Sequence, residues 1–308
     1  MRTEPPAQQP GLPGILRDVD DVHFRLWVLT DLPLDGRSDL LPEEAPPCDA
    51  IVVAGSSGAA GLAGSVRQLA ATFDRLRGTR VLAFVPGAAA FADGAPLDQA
   101  VAEASEVAER LGIALLHDTT VRIAGPHGIG LNLLGAVLWP SFQAAGRREA
   151  RHARQHARHR WRVLKHFRAN GIPFAPHDAV GAHHRSRAFI QDALTSISLG
   201  EGGFGNESRS LVPHARPGDK AVVLTGFPPS PLCLPRCIWR ESVDPLSAAW
   251  LTSDMDEDLS APWAPAAWVH GSVPVGFDFR IGRTRVLSNP LDPAHPANGG
   301  EPARIIVV

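Results

Sequence analysis

Residues 81–94 read VLAFVPGAAAFADG, an apolar run that a Pro-Gly pair separates from three consecutive alanines. The run VLAFV is typical of a buried strand, and α/β proteins usually carry their reactive side chains just beyond the carboxyl ends of such strands. Here Ala88, Ala89 and Ala90 stand at that place, and none of them can bind a ligand or transfer a proton. The stretch therefore indicates an α/β sheet whose customary place for chemistry lacks functional side chains.

Strands and helices alternate around this stretch. Predicted strands occupy residues 26–30, 50–55, 81–87 and 113–117. Amphipathic segments at 65–78 and 97–112 predict helices that end at Gly78 and Gly112, since glycine commonly terminates a helix. This alternation is typical of βαβ units with parallel strand pairing.

The second half of the chain contains more strands. Further predicted strands occupy residues 221–226, 266–271, 277–282 and 284–290, after a predicted hairpin over 121–139. Helices are expected over 147–168 and 183–195, and the terminal IIVV suggests an edge strand. We expect residues 1–20 to form a flexible tail and residues 21–308 to form a single domain.

Composition narrows the class of protein. With 308 residues, 44% of them hydrophobic and 20% charged, the chain is long enough for a full core. A net charge of −2 gives no overall bias toward nucleic acid or membrane. Three cysteines and the lack of a signal-like or membrane-spanning apolar run favour a cytoplasmic protein without a membrane partner.

Five strand termini, taken in order, carry a resemblance to a known family. They read LWVLTDLPLD, AIVVAGSS, LAFVPGAAAF, AVVLTGFPPS and WVHGSVPVGFDFRIGRTRVLSNP. They resemble the calcineurin-like metallophosphoesterases, which show Asp-x-His, Gly-Asp, Gly-Asn-His-Glu, a histidine after a strand, and Gly-His-x-His at these places. The resemblance covers roughly residues 25–290. It implies two packed mixed β-sheets flanked by helices in a four-layer α/β/β/α sandwich, and a family activity of metal-dependent phosphoester hydrolysis.

Most residues that perform this chemistry in the family are absent from the present chain. The positions corresponding to the family's metal ligands are Asp31, Pro33, Ser56, Ala88, Gly226, Ser272 and Pro274. Only Asp31 keeps the family's residue type, and Ala89 stands where the family has its proton-donating histidine. A pair of divalent cations needs several carboxylate and imidazole ligands, so we predict neither a bound metal nor a catalytic residue.

The resemblance thus leads us to predict a catalytically inactive relative of these enzymes, a pseudoenzyme with a binding, scaffolding or regulatory role. Its partner would be an unidentified protein, for which an active relative is one candidate, or a phosphorylated or anionic ligand held by turn N–H groups at 55–58 and 87–90. The loop GSSGAAGLAG at 55–64 misses the spacing of known nucleotide-binding loops. Candidate ligand-binding residues are Asp31, Ser56, Ser57, His270, Arg151, Arg154 and Arg158.

Two alternatives remain open. One is a phosphoester hydrolase with a rebuilt site, in which Asp31, His270 or the pair His183 and His184 would act with two Mn, Fe or Zn ions. The other is binding of anions or nucleic acid by the Arg/His-rich segment 147–168. As a helix, this segment would bury one apolar stripe: Ala150, Ala153, Ala157, Trp161 and Leu164.

Overall fold

Two mixed β-sheets pack face to face, and helices cover their outer faces. The structure, a computed structural model, describes residues 22–34, 40–57, 61–160, 168–169, 172–200, 212, 215–234, 245–291 and 298–308. The predicted α/β/β/α sandwich is therefore confirmed. The tail expected at residues 1–20 lies outside the described residues.

The first sheet has five strands in the order β13-β1-β2-β3-β4. Their bounds are β1 Arg25–Pro33, β2 Ala50–Ser57, β3 Val81–Val85, β4 Ala114–Leu115 and β13 Ile305–Val307. Strands β1 to β4 are parallel, whereas β13 joins β1 in antiparallel pairing. Helices α1 (Gly61–Phe73) and α2 (Leu97–Leu111) connect these strands, and Gly112, with φ of 63°, ends α2 as predicted.

The second sheet has six strands in the order β11-β12-β10-β9-β6-β5. Their bounds are β5 Thr119–Ala124, β6 Gly130–Ala136, β9 Lys220–Thr225, β10 Ala267–His270, β11 Phe277–Ile281 and β12 Thr284–Ser288. The four inner strands are parallel, and the outer strands β5 and β11 are antiparallel to their neighbours. A separate short hairpin pairs β7 (Arg168–Ala169) with β8 (Ile172–Pro173).

The remaining helices lie in the second half of the chain. They are α3 Ala150–Arg160, α4 Pro176–Leu199, α5 Pro245–Ala248 and α6 Asp256–Ser260. Short 3₁₀ turns occur at Ala88–Phe91, Pro126–Gly128 and Pro231–Cys233. Within the described part of the chain, no helix combines the length and the apolar character that crossing a membrane requires.

Alternation along each strand divides the core into layers. In β1, Val28 faces the second sheet together with Leu224 and Val269, whereas Trp27 faces α1 and meets the ring of Phe73 at 5.6 Å. The period of two in strands places successive side chains on opposite faces, so each sheet contributes to two cores. The opposite face of the second sheet packs against α4.

Three helices differ in extent from their predictions. Helix α1 ends at Phe73 rather than at Gly78, and a closing turn follows in which the Phe73 carbonyl accepts the N–H groups of both Leu76 and Arg77. Helix α4 begins at Pro176, seven residues before its predicted start; proline suits a first turn, and the Asp178 carboxylate accepts the Ala175 N–H at 2.8 Å. The helix expected over 147–168 is described only as α3, and Arg168 lies in β7.

Candidate functional site

The family's ligand positions gather where the two sheets meet at the carboxyl ends of their parallel strands. The N–H of Ser272, just after β10, donates to Asp31 Oδ1 at 2.9 Å, although the two residues are 241 positions apart. The Ser272 hydroxyl donates to the carbonyl of Gly226, which follows β9, at 2.8 Å. Backbone and hydroxyl contacts therefore join these positions directly.

Asp31 lies in β1 with an unusual backbone conformation, φ of 48°, which aspartate tolerates better than most residues. Its carboxylate is enclosed, and Oδ2 has no hydrogen-bond partner among the described residues. Burial raises the pKa of Asp31 to about 7, although the N–H groups of Ser272 and Val273 act to lower it. Asp31, the one candidate position with the family's residue type, is thus about half protonated near neutral pH.

Two glycines close the space around this carboxylate. A Cβ atom built on Gly55 would lie 2.5 Å from Asp31 Oδ1, and one built on Gly271 would lie 2.8 Å from the same oxygen. The Gly271 Cβ would also lie 2.8 Å from the Gly55 Cα, so the two backbones nearly touch. Since even a methyl group does not fit here, Asp31 Oδ1 is packed closely between the backbone segments at Gly55 and Gly271.

The position of the family's next histidine ligand is equally closed. A Cβ on Gly226 would lie 2.5 Å from the Pro86 carbonyl oxygen and 3.2 Å from that of Val137. These are backbone atoms, which cannot move aside as the end of a flexible side chain can. A larger residue at Gly226 would require the segment after β3 to shift.

The other family positions offer little to a cation. Pro33 and Ala88 are half-buried, while Ala89 and Pro274 are exposed. None of these four side chains carries a donor or an acceptor. Ser56 and Ser57 are the last two residues of β2, and the structure describes only their backbone.

The residues present do not fit a two-metal centre. Such a centre requires several carboxylate and imidazole ligands, and here one partly protonated carboxylate remains, bonded to backbone N–H. Across the described ranges, no three His, Cys, Asp or Glu side chains gather into a group that could hold a metal ion.

His270 is held away from Asp31. It is fully buried, its Nδ1 lies 3.0 Å from the Gly271 carbonyl, and its ring packs 5.4 Å from that of Phe277. Burial lowers the pKa of His270 to about 4, so the ring is neutral. By strand alternation it shares a face with Trp268, on the α4 side of the second sheet.

His183 has a structural contact in α4. Its Nδ1 lies 2.8 Å from the Trp139 carbonyl, so this nitrogen carries the proton and donates. Burial lowers the pKa of His183 to about 4, whereas its neighbour His184 is exposed. The rebuilt site considered above therefore finds none of its three histidines bonded to Asp31 within the described part of the chain.

The candidate arginines lie elsewhere. Arg151, Arg154 and Arg158 line a cavity of about 230 Å³ between α3 and the first residues of α4. In α3, Ala150, Ala153 and Ala157 are buried, as the stripe predicts. Trp161 and Leu164, the other members of that stripe, lie outside the described residues. Among the described residues of the turns 55–58 and 87–90, none lines this cavity.

Sequence reasoning missed the two glycines that enclose Asp31. A signal was present, because the resemblance aligns Gly55 and Gly271 with the glycines of the family's Gly-Asp and Gly-His motifs, although Ser56 and Ser272 follow them. Glycine at such a position suits a close backbone approach.

The similarity of this chain to known proteins lies in its structure rather than in its sequence. No family model matches the sequence, and no curated protein matches it. Among solved structures, the phosphopantetheinyl hydrolase of Mycobacterium tuberculosis is similar to this chain, with a TM-score of 0.57 at 14% identity over 86% of this chain and 88% of that one.

Two further solved structures are more distant. The sulfate thiohydrolase SoxB of Thermus thermophilus gives a TM-score of 0.32 at 11% identity over 84% of this chain and 35% of that one. A dimetal phosphatase from Danio rerio gives 0.29 at 10% identity over 92% and 91%. The likeness to the phosphopantetheinyl hydrolase shows the fold alone. The chain has the calcineurin-like metallophosphoesterase fold.

Proposed function

We propose that this protein is a catalytically inactive member of the metallophosphoesterase fold with a binding, scaffolding or regulatory role. The observation that carries the proposal is the direct bond between the Ser272 N–H and Asp31 Oδ1, with Gly55 and Gly271 packed against the same oxygen. In this arrangement the Ser272 N–H occupies Oδ1 of the carboxylate, so a direct hydrogen bond joins the two strand ends.

The loss of hydrolysis follows from two features of this edge. A two-metal phosphoesterase uses its ions to generate a nucleophile and to stabilise the charge on the phosphoryl oxygens, and the side chains around Asp31 cannot hold those ions. In addition, the exposed Ala89 has no proton to give a leaving group. Each feature alone would slow the reaction by orders of magnitude.

The same proposal includes a cytoplasmic location and an unidentified partner, for which an active relative of the same fold is one candidate. The two cysteines of the described residues, Cys48 and Cys233, are free thiols, which suits a reducing compartment. Burial raises the pKa of Cys233 to about 12, so this thiol stays protonated and unreactive.

Metal content and turnover test the proposal. Protein produced with Mn, Fe and Zn in the medium should contain well under one metal per chain by elemental analysis. It should also fail to hydrolyse para-nitrophenyl phosphate and bis(para-nitrophenyl) phosphate with any of these metals added.

Asp31→Asn, purified in the same way, is the matched control, because it removes the one retained ligand and keeps the side-chain shape. Trace metal or activity that is equal in both proteins belongs to a contaminant. Metal-dependent turnover that Asp31→Asn abolishes would overturn the proposal and establish a hydrolase with a rebuilt site.

A further inference from the structure

A small cavity with three arginines lies away from the strand ends. It is bounded on one side by Arg151, Arg154 and Arg158 of α3, together with Gln155, and on the other by Pro176 and His177 of α4. The three arginines occur at spacings of three and four residues, which place them on one helix face. This face borders the buried alanine stripe, so the guanidinium groups extend from the junction of the two helices.

The charge on this cavity is not balanced by its own lining. Across the described ranges no carboxylate pairs with the three arginines, and no acidic residue lines the cavity. The acids nearby are already engaged: Glu149 pairs with His152 at 2.9 Å. Asp178 accepts the Ala175 N–H, and its Oδ1 lies 3.5 Å from Nε2 of His177. Three like charges around one space raise the local potential, which an anion would relieve.

The opposite wall adds to this preference for an anion. Pro176 and His177 are the first two residues of α4, a helix of 24 residues. The start of a helix carries a partial positive charge from its aligned peptide dipoles. The guanidinium groups of α3 and the N-terminus of α4 therefore line the same cavity from two sides.

The size and shape of the cavity narrow the class of anion. Its volume of about 230 Å³ lies below the roughly 300 Å³ at which sites for whole small molecules begin. The α3 backbone rises about 10 Å between Arg151 and Arg158, so the arginines form a row rather than a ring. A row of bidentate donors matches two linked phosphates better than a single one.

A second cavity next to the first has room for the rest of such a ligand. It has a volume of about 420 Å³ and shares His177 with the first. Leu97, Phe174 and Ala182 give it apolar walls, while Asp98 and Asp178 provide hydrogen-bond acceptors. A group attached to the phosphates would thus have room beside them.

We propose that the cavity formed by Arg151, Arg154, Arg158 and His177 binds the diphosphate group of a small organic ligand. The site is separate from the strand ends, so it does not depend on whether the chain lacks phosphoesterase activity.

Isothermal titration of the full chain with inorganic pyrophosphate tests this inference. We expect pyrophosphate to bind at least tenfold more tightly than orthophosphate, since it reaches more of the row. Arg154→Ala and Arg158→Ala should each weaken binding by about tenfold or more, as expected for the loss of a charge-assisted hydrogen bond. Arg154→Lys keeps the positive charge but not the paired N–H donors of the guanidinium group, and should give an intermediate loss of affinity.

Arg110→Ala is the matched control, because Arg110 is an exposed arginine on α2, away from the cavity, and its removal should leave binding unchanged. Thermal denaturation of each variant without ligand shows that it is folded. The inference fails if pyrophosphate does not bind at 10 mM, or if Arg110→Ala weakens it as much as Arg154→Ala. It also fails if single-stranded RNA or duplex DNA binds more tightly than pyrophosphate, with steep salt dependence and the same sensitivity to Arg154→Ala, because the segment would then bind nucleic acid.

Discussion

The carboxyl edge of the two sheets and the junction of α3 with α4 differ in both packing and charge. At the edge, Asp31 is enclosed by the backbones of two glycines, and Gly226 has a carbonyl oxygen where a side chain would begin. At the junction, Arg151, Arg154 and Arg158 line a cavity and have no acidic partner among the described residues. The first region is closely packed, while the second contains a cavity with three arginines and no acidic residue in its described lining.

If, as we propose, the metal ligands have been lost from this fold, the strand ends can still pack closely without them. Once ligands are gone from a metal centre, any remaining carboxylate must find other partners, because an enclosed and unsatisfied charge is costly. Here the N–H of Ser272 supplies that partner. The arginine cavity between α3 and α4, at the periphery of the sandwich, is then the better candidate for binding a ligand.

The largest expected effect concerns the charge on Asp31. Its native pKa of about 7 lies above that of an unfolded aspartate, so the native state keeps a proton that the unfolded chain releases. Wild type should therefore lose stability relative to Asp31→Asn as the pH rises from about 4 to 7, by roughly 4 kcal/mol in total. Urea denaturation of both proteins across this range measures the difference.

The difference between the two proteins is the relevant quantity, because His183 and His270 act in the opposite direction. Both have a native pKa near 4, below that of an unfolded histidine, so each stabilises at pH 6.5 and above and loses that contribution as the pH falls toward 4. These contributions cancel between wild type and variant. A difference that stays constant with pH would mean that Asp31 is ionised and solvated in the native state.

A pair of alanine substitutions compares the packing of the two regions. Gly226→Ala puts a methyl group 2.5 Å from the Pro86 oxygen and should cost about 2 kcal/mol or more. Gly181→Ala, in α4 beside the open cavities, has nothing nearer than 3.8 Å and should stabilise by about 0.5–1 kcal/mol. Equal effects of the two substitutions in chemical denaturation would show that the edge is not closed.

A smaller effect is expected from removing cavity arginines in the absence of ligand. Arg158→Ala removes a like charge and breaks no ion pair with any described residue, so the free energy of unfolding should change by less than about 0.5 kcal/mol. Arg187→Ala is the contrasting variant, since Arg187 pairs with the buried Asp258 at 3.0 Å, and its loss should cost about 2 kcal/mol. A large loss in Arg158→Ala would reveal a structural role for this arginine.

The smallest expected effect is that of a chelator. If backbone contacts hold Asp31 in place of ions, EDTA should leave the melting temperature unchanged, because no metal contributes to folding at this edge. Differential scanning fluorimetry with and without EDTA makes the measurement. A clear decrease that added Mn or Zn reverses would show that a cation stabilises the native state.

The elements of the fold were accessible from sequence because they depend on local patterns. Apolar runs predicted β1, β2 and β3, and Gly112 marked the end of α2, since strand burial and helix termination are decided by neighbouring residues. The start of α4 was missed by seven residues because Pro176 and Asp178, which begin the helix, precede its apolar stretch.

The candidate site could be predicted from the sequence only in part. The resemblance led to the prediction that most metal ligands are missing, and the Arg/His-rich segment 147–168, predicted to be helical, supplied Arg151, Arg154 and Arg158 as candidates. Their cavity could not be predicted, since its second wall, His177, belongs to another helix. Likewise, nothing near Asp31 in the sequence shows that its hydrogen-bond donor is 241 residues away.

Strand β1 pairs with β2 on one side and with β13 on the other, where Trp27 lies opposite Ile305. The first sheet therefore cannot be completed until the ribosome has added roughly 280 residues after β1, which takes about fifteen seconds to a minute at usual elongation rates. During that time β1 has one open edge, the condition under which nascent chains aggregate or engage chaperones. The yield of native protein should accordingly depend on the speed of translation and the supply of chaperones more than on any supplement of metal.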